Sequence, residues 1–167
     1  MALRFKAADP GTYFWHSHVA MQRADGFFGS LIIKPRTDVS SNEYDFDLND
    51  HVIIFNDWFD ETIVSKFAFH HHGTTDNNRA TGILINGKGV DVRENATMHT
   101  PRAVFTVRQG FRYRFRLINS GVSFCPIQFV VDSHNFTVIA TDGKPIEPVR
   151  FQSVTLHAGY LKISFLV

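Results

Sequence analysis

Short runs of alternating apolar and polar residues, separated by turn residues, recur along almost the whole chain. Leu3, Phe5 and Ala7 alternate with Arg4 and Lys6, which predicts a half-buried strand over 3–7. Pro10-Gly11 then turns the chain, Thr12 to His18 is aromatic and β-prone, and Phe27 to Lys34 runs apolar up to Pro35. His51 to Asn56 is apolar on both faces, as a central strand requires. Glu61 to Phe69 has the helical spacing of Ile63 with Phe67 and of Val64 with Ala68, and His70-His71-His72 reads as the start of a polar loop. Ile83 to Asn86 and Ala103 to Val107 are predicted strands. The clearest alternation is Phe111, Tyr113, Phe115 and Leu117 against Arg112, Arg114 and Arg116. Ile127–Val131, Phe136–Ala140, Ser153–His157 and Leu161–Val167 follow with Gly-containing turns between them. Short strands at this spacing predict an all-β sandwich or barrel.

Between Thr37 and Asp50 the pattern lapses. Asp38, Glu43, Asp45, Asp47 and Asp50 are interrupted by no basic residue, and Ser40-Ser41-Asn42 breaks any periodicity. This stretch reads as a solvated connection between two units. The arginine face of 112–116 reads as solvated or salt-bridged, because no other basic run accompanies it.

Composition narrows the classes. Seventeen phenylalanines in 167 residues suit an interior of flat, bulky side chains. A net charge of +1 gives no bulk attraction to nucleic acid or an anionic membrane. No apolar run reaches the length of a transmembrane helix, and the first residues do not have the form of a signal peptide. The one cysteine, Cys125, excludes an internal disulfide.

The candidate chemistry is concentrated in Gly11-Thr12-Tyr13-Phe14-Trp15-His16-Ser17-His18. In an extended strand His16 and His18 project to one side and Trp15 and Ser17 to the other. Two imidazoles held side by side suit one metal, or two close together. Two ordinary polar residues in a strand would give the same pattern.

The residues from Pro10 to His18, with Gln22, Gly26, Gly29 and Leu31-Ile32-Ile33, resemble a copper-binding motif of the multicopper oxidases, most closely that of laccase-like enzymes of animals such as insects. Asn56-Asp57-Trp58, Leu84 to Gly89, Gly110 with Arg112 to Asn119, and Asp132 to Gly143 resemble the second domain of a laccase. The resemblance implies a Greek-key cupredoxin-like β-sandwich. Residues 1–36 would be the C-terminal strands of a first cupredoxin domain, 37–50 an acidic linker, and 51–167 a nearly complete second domain. It further implies that His16 and His18 each bind one copper of a type 3 pair. With a third copper, that pair reduces dioxygen to water at the expense of phenols, aromatic amines or metal ions. The remaining His-x-His pairs would lie in cupredoxin domains missing from this chain, which alone would be inactive. The family resemblance also implies a secreted, extracellular enzyme. The alternative is a non-catalytic β-sandwich that binds copper or serves as an interaction module.

Other candidates weigh less. Cys125 lacks the spacing and the following Met of a type 1 copper ligand and reads as a buried or semi-buried thiol. His134 matches a structural histidine of the family. His51, His99 and His157 read as ordinary surface or core histidines. Thr81-Gly82 stands where fungal laccases carry an acidic substrate contact, and Tyr160 to Val167 departs from the family's usual ending. Asn95-Ala96-Thr97 and Asn135-Phe136-Thr137 fit the glycosylation sequon, the second within a predicted strand.

Overall fold

A computed structural model describes residues 4–72, 80–89, 101–122, 126–159 and 162–167. Its strands are β1 (Gly11–His16), β2 (Phe28–Ile33), β3 (Val52–Trp58), β4 (Gly82–Ile85), β5 (Arg114–Asn119), β6 (Ile127–Val130), β7 (Phe136–Thr141), β8 (Lys144–Phe151), β9 (Ser153–Leu156) and β10 (Lys162–Leu166). One helix, α1 (Ile63–His72), follows β3. Six strands form one sheet in the order β4-β3-β5-β10-β7-β8. Within it β3 and β5 run parallel and the other neighbours antiparallel. The pairs β1-β2 and β6-β9 are separate two-stranded sheets.

These pieces stack as layers, for a reason visible in β5. All six of its residues are buried, so both faces of the sheet are covered at its centre. On one face Phe115 and Leu117 join Ile53, Phe55, Phe136, Val138, Ile163 and Phe165, and β6 and β9 close over them with Ile127, Phe129, Val154 and Leu156. Phe165, 1% exposed, touches the rings of Phe115, Phe129 and Phe136 at centroid distances of 5.5, 5.5 and 5.0 Å. This is a β-sandwich with an aromatic core.

The opposite face of β5 carries Arg114 and Arg116, 7% and 2% exposed. Here the acidic stretch is only partly solvated, because it folds back on the arginines and salt-bridges them. Asp38 meets Arg114 at 2.7 Å, Asp45 meets Arg112 at 3.2 Å, and Asp47 meets Arg116 at 2.6 Å. A buried guanidinium is tolerated only when paired, so the two inner bridges hold the connection against the sheet. The Arg112 pair, about half exposed, contributes little.

Arg116 also donates to the Thr12 hydroxyl of β1 at 2.6 Å, and Thr12 is 3.2 Å from Ser164 on β10. The β1-β2 hairpin therefore docks on the same face. A Cβ on Gly143 would stand 2.7 Å from the Tyr13 hydroxyl, so only glycine lets the β7-β8 turn approach this closely.

Four further differences have local causes. Residues 4–7 have no strand partner and are exposed, Phe5 at 71%, so their alternation has nothing to bury against. Residues 103–107 join no ladder among the described residues, although Phe105 packs on the core. α1 continues through His72 rather than ending at Phe69, because no helix breaker precedes Gly73. β8 was not legible as a strand: Pro145 and Pro148 argue against one, yet an edge strand tolerates prolines where no donor is needed.

Candidate metal centre

His16 is the last residue of β1 and is paired with Phe28, so the ladder ends where the second histidine begins. His18 lies just beyond, on the loop to β2. The two rings are 5.9 Å apart between centroids and tilted by 32°. Both face one cavity of about 420 Å³, together with Ser17, Met21, Arg23, Ile63 and Val122. Ser17 is on this side as well, because strand alternation stops at His16. His16 is half-buried and His18 exposed.

Local hydrogen bonds set this geometry. The Ser17 hydroxyl donates to Gln22 Oε1 at 2.6 Å and accepts from the Val19 N–H at 3.1 Å. The Ser17 N–H bonds the Phe27 carbonyl, and the Phe27 N–H bonds the Gln22 carbonyl, each at 3.0 Å. Gln22 is thus the brace of the loop. Gly29 has a steric reason: a Cβ there would lie 2.7 Å from the Trp15 indole.

His16 Nδ1 is 2.9 Å from the Ser17 carbonyl. A carbonyl only accepts, so Nδ1 carries the proton and Nε2 keeps its lone pair for a metal. Phe14 stacks on the same ring at 4.9 Å and 25°, which fixes its plane. The pair therefore suits a metal, as one donor to each of two ions or two donors to one. Among the described residues no cluster of three or more His, Cys, Asp or Glu forms, so a complete coordination shell needs donors from elsewhere.

Two residues unremarkable in the sequence hold the loop in place. Arg23 lies over the Phe14 ring at 5.3 Å and donates from Nε to the Ser120 carbonyl at 3.0 Å and from a terminal nitrogen to the Gly121 carbonyl at 2.6 Å. Burial lowers its pKa and the nearby Asp57 raises it, with a net lowering. Asp25 accepts from the Ile63 N–H at 2.8 Å, satisfying an otherwise open donor in the first turn of α1. The histidine loop is thereby tied to the turn after β5 and to the start of α1. Nothing in the sequence could pair Arg23 with a turn 97 positions away.

The other histidines stand apart. His51 is 2% exposed, stacked on Phe115 at 4.6 Å, with Nε2 3.2 Å from the Thr106 carbonyl; it is a core residue. His134 is exposed and bonds its own turn at Asp132. His157 is exposed. Cys125, His99 and Asn95 lie outside the described residues, as do the side chains of His70 and His71.

A multicopper oxidase family model matches residues 49–166, and a second one matches residues 1–38. Laccase-1 of Thanatephorus cucumeris is 36% identical over 151 residues, covering 89% of this chain and 25% of that protein. Laccase-2 of Agaricus bisporus is 36% identical over 165 residues, covering 92% of this chain and 29% of that protein. The chain thus spans about a quarter of the length of such relatives. The crystal structure of a laccase from Botrytis aclada superposes with a TM-score of 0.75 at 30% identity, covering 95% of this chain and 29% of that one. A blue copper oxidase from Nitrosomonas europaea, 21% identical, shares the fold with a TM-score of 0.71 over 97% of this chain and 46% of its own. With the match to the family running through the six-stranded sheet and the hairpin alike, the chain belongs to the multicopper oxidase family, whose cofactor is copper.

Proposed function

We propose that this chain is part of a laccase-like enzyme that couples one-electron oxidation of phenols, aromatic amines or metal ions to four-electron reduction of dioxygen to water. In this reading His16 and His18 each donate to one member of a type 3 copper pair. Residues 1–36 form the end of a first cupredoxin domain, 37–50 the connection, and 51–167 the second domain. The carrying observation is the pair of imidazoles, 5.9 Å apart at one hairpin end and facing one cavity.

Copper held by His16 and His18 would supply electron storage and an affinity for dioxygen. The chain's own residues supply orientation. The Ser17 carbonyl sets the His16 tautomer, Phe14 fixes the ring plane, and the Gln22 brace limits how far His18 can swing. Thr81-Gly82 offers no carboxylate, so this reading assigns no phenol recognition through an acidic contact at that position.

The similarity to laccases supports a secreted enzyme. No helix among the described residues is long and apolar enough to cross a membrane.

The test has two arms. Residues 1–167, loaded with copper without oxygen, are expected to show neither an intense blue band nor phenol-dependent oxygen uptake. In the longer enzyme, His16→Ala and His18→Ala are each expected to lose copper and abolish oxygen uptake. Full copper content and turnover in both variants would overturn the assignment.

A further inference from the structure

Met21 stands three residues beyond the second histidine, and the chain reaches it by a turn that strand alternation does not predict. Ala20, just before it, has a left-handed backbone at φ 44°, a conformation uncommon outside glycine. The Met21 carbonyl then accepts from the Ala24 N–H at 2.9 Å and from the Asp25 N–H at 3.2 Å, which makes a helical turn. The reversal at Ala20 brings Met21 back to the cavity of about 420 Å³ that His16 and His18 line. Met21 is half-buried there rather than turned to solvent.

The donors open to that cavity are few and alike. His16 offers Nε2, because its Nδ1 is engaged with the Ser17 carbonyl. The His18 ring makes no hydrogen bond to a described residue. The Ser17 hydroxyl is taken up between Gln22 and Val19, and Ile63 and Val122 bring only hydrocarbon. Met21 adds a thioether sulfur, and among the described residues no carboxylate lines the cavity. Two nitrogens and a soft sulfur, all neutral, suit Cu(I), which thioether ligands select. The Arg23 guanidinium lines the same cavity, and it repels a divalent ion twice as strongly as a monovalent one at equal distance. A metal about 2 Å from a ring nitrogen is roughly 3 Å from the ring centre, so two imidazoles on one ion have centres about 5–6 Å apart. Those of His16 and His18 are 5.9 Å apart.

We propose that Met21 completes, with His16 and His18, a three-donor site for a single Cu(I), occupied before donors from other domains are engaged. The inference rests on the reading of the two histidines as copper ligands and adds a residue to it. Binding is coordination alone: lone pairs of His16 Nε2, a His18 ring nitrogen and Met21 Sδ are shared with the ion, and nothing is oxidised or reduced. The long, unbranched Met21 side chain follows the ion as it enters. It lets go when imidazoles arrive from elsewhere, since a thioether is the weakest donor of the three.

The test uses the chain of 167 residues with Cys125→Ser, which removes its one thiol. It is titrated anaerobically with Cu(I) against bicinchoninate, and the loaded protein is measured by X-ray absorption at the copper edge. One equivalent of Cu(I) is expected, with a sulfur scatterer beside nitrogen. Met21→Leu keeps the volume and removes the sulfur, so the sulfur shell should vanish. Loss of an outer partner alone costs about 10–100-fold in metal affinity, so loss of this ligand should weaken Cu(I) at least ~10-fold. Zinc, which takes nitrogen, oxygen and thiolate ligands, should bind both chains alike; a matching loss of zinc would mark a packing effect and overturn the inference. A shell of nitrogen alone, a sulfur that survives Met21→Leu, or no bound Cu(I) would overturn it too, leaving the histidines free to serve as a type 3 pair in the longer enzyme. Cu(I) held equally well by His16→Ala and His18→Ala would overturn both readings.

Discussion

Arg116→Met removes the group on which the connection, the hairpin and the main sheet converge. Arg116 and Asp47 have side chains 3% and 12% exposed, and they meet through two bonds of 2.6 and 3.2 Å. Losing one partner of such a buried pair costs about 3–5 kcal/mol, mainly because the other charge is stranded. Here Asp47 keeps Lys34 at 3.6 Å, and Thr12 keeps Ser164, so the lower end applies, about 3 kcal/mol. Against a total of about 5–15 kcal/mol for a domain, that is a large fraction. Urea unfolding followed by the fluorescence of Trp15 and Trp58 would measure it, with the slope checked for constancy. Asp47→Asn should cost a similar amount, and the double variant less than the sum, since neither charge is then stranded. A loss under about 1 kcal/mol for Arg116→Met, the worth of an exposed pair, would refute the idea that this bridge fastens the layers.

Asp38 should make stability sensitive to acid. Burial alone would raise its pKa, but the hydrogen bonds from the Tyr44 hydroxyl and the Ser40 N–H, with the Arg114 charge, outweigh it and the net shift is downward. A carboxyl whose folded pKa is depressed stabilises above its unfolded value, about 4, and loses that contribution as pH falls through the folded value. Unfolding midpoints taken from about pH 6 downward should therefore fall less steeply in Asp38→Asn; an unchanged acid limb would contradict the pairing. Gly29→Ala should cost about 1–3 kcal/mol and shift Trp15 emission, because the new methyl meets the indole; a silent substitution would show that the ring swings aside freely. Arg23→Ala should weaken copper binding about 10-fold in chelator competition, through loss of the support under Phe14 and His16. Arg23→Lys should recover only part of it, since an ammonium cannot grip both carbonyls as the guanidinium does.

Where local pattern and tertiary need agree, the sequence was readable. β3, β5 and β7 bury apolar side chains that cannot do otherwise, and their positions follow from alternation in β5 and from short apolar runs in β3 and β7. The His16-Ser17-His18 spacing predicted two rings on one side of a strand; both do line one cavity, but Ser17 joins them because the strand ends at His16. What failed was pattern without a partner, as in residues 4–7, and partners without a pattern. The acidic stretch looks solvated alone, and the arginines of β5 solvated or salt-bridged; only folding shows that Asp38 and Asp47 make the burial of Arg114 and Arg116 possible. Arg23 and Asp25 read as ordinary loop charges, because their targets at Ser120 and Ile63 are fixed by topology. β8 was hidden by its prolines, whose tolerance depends on an edge position that no local pattern encodes.

The central claim is that His16 and His18 each hold one member of a copper pair. A crystal structure of the copper-loaded, longer enzyme, with anomalous scattering at the copper edge, tests it most directly. The account predicts one anomalous peak within bonding distance of His16 Nε2 and a separate one at the His18 ring. Two histidines with no copper at bonding distance, in crystals whose other sites are filled, would contradict it.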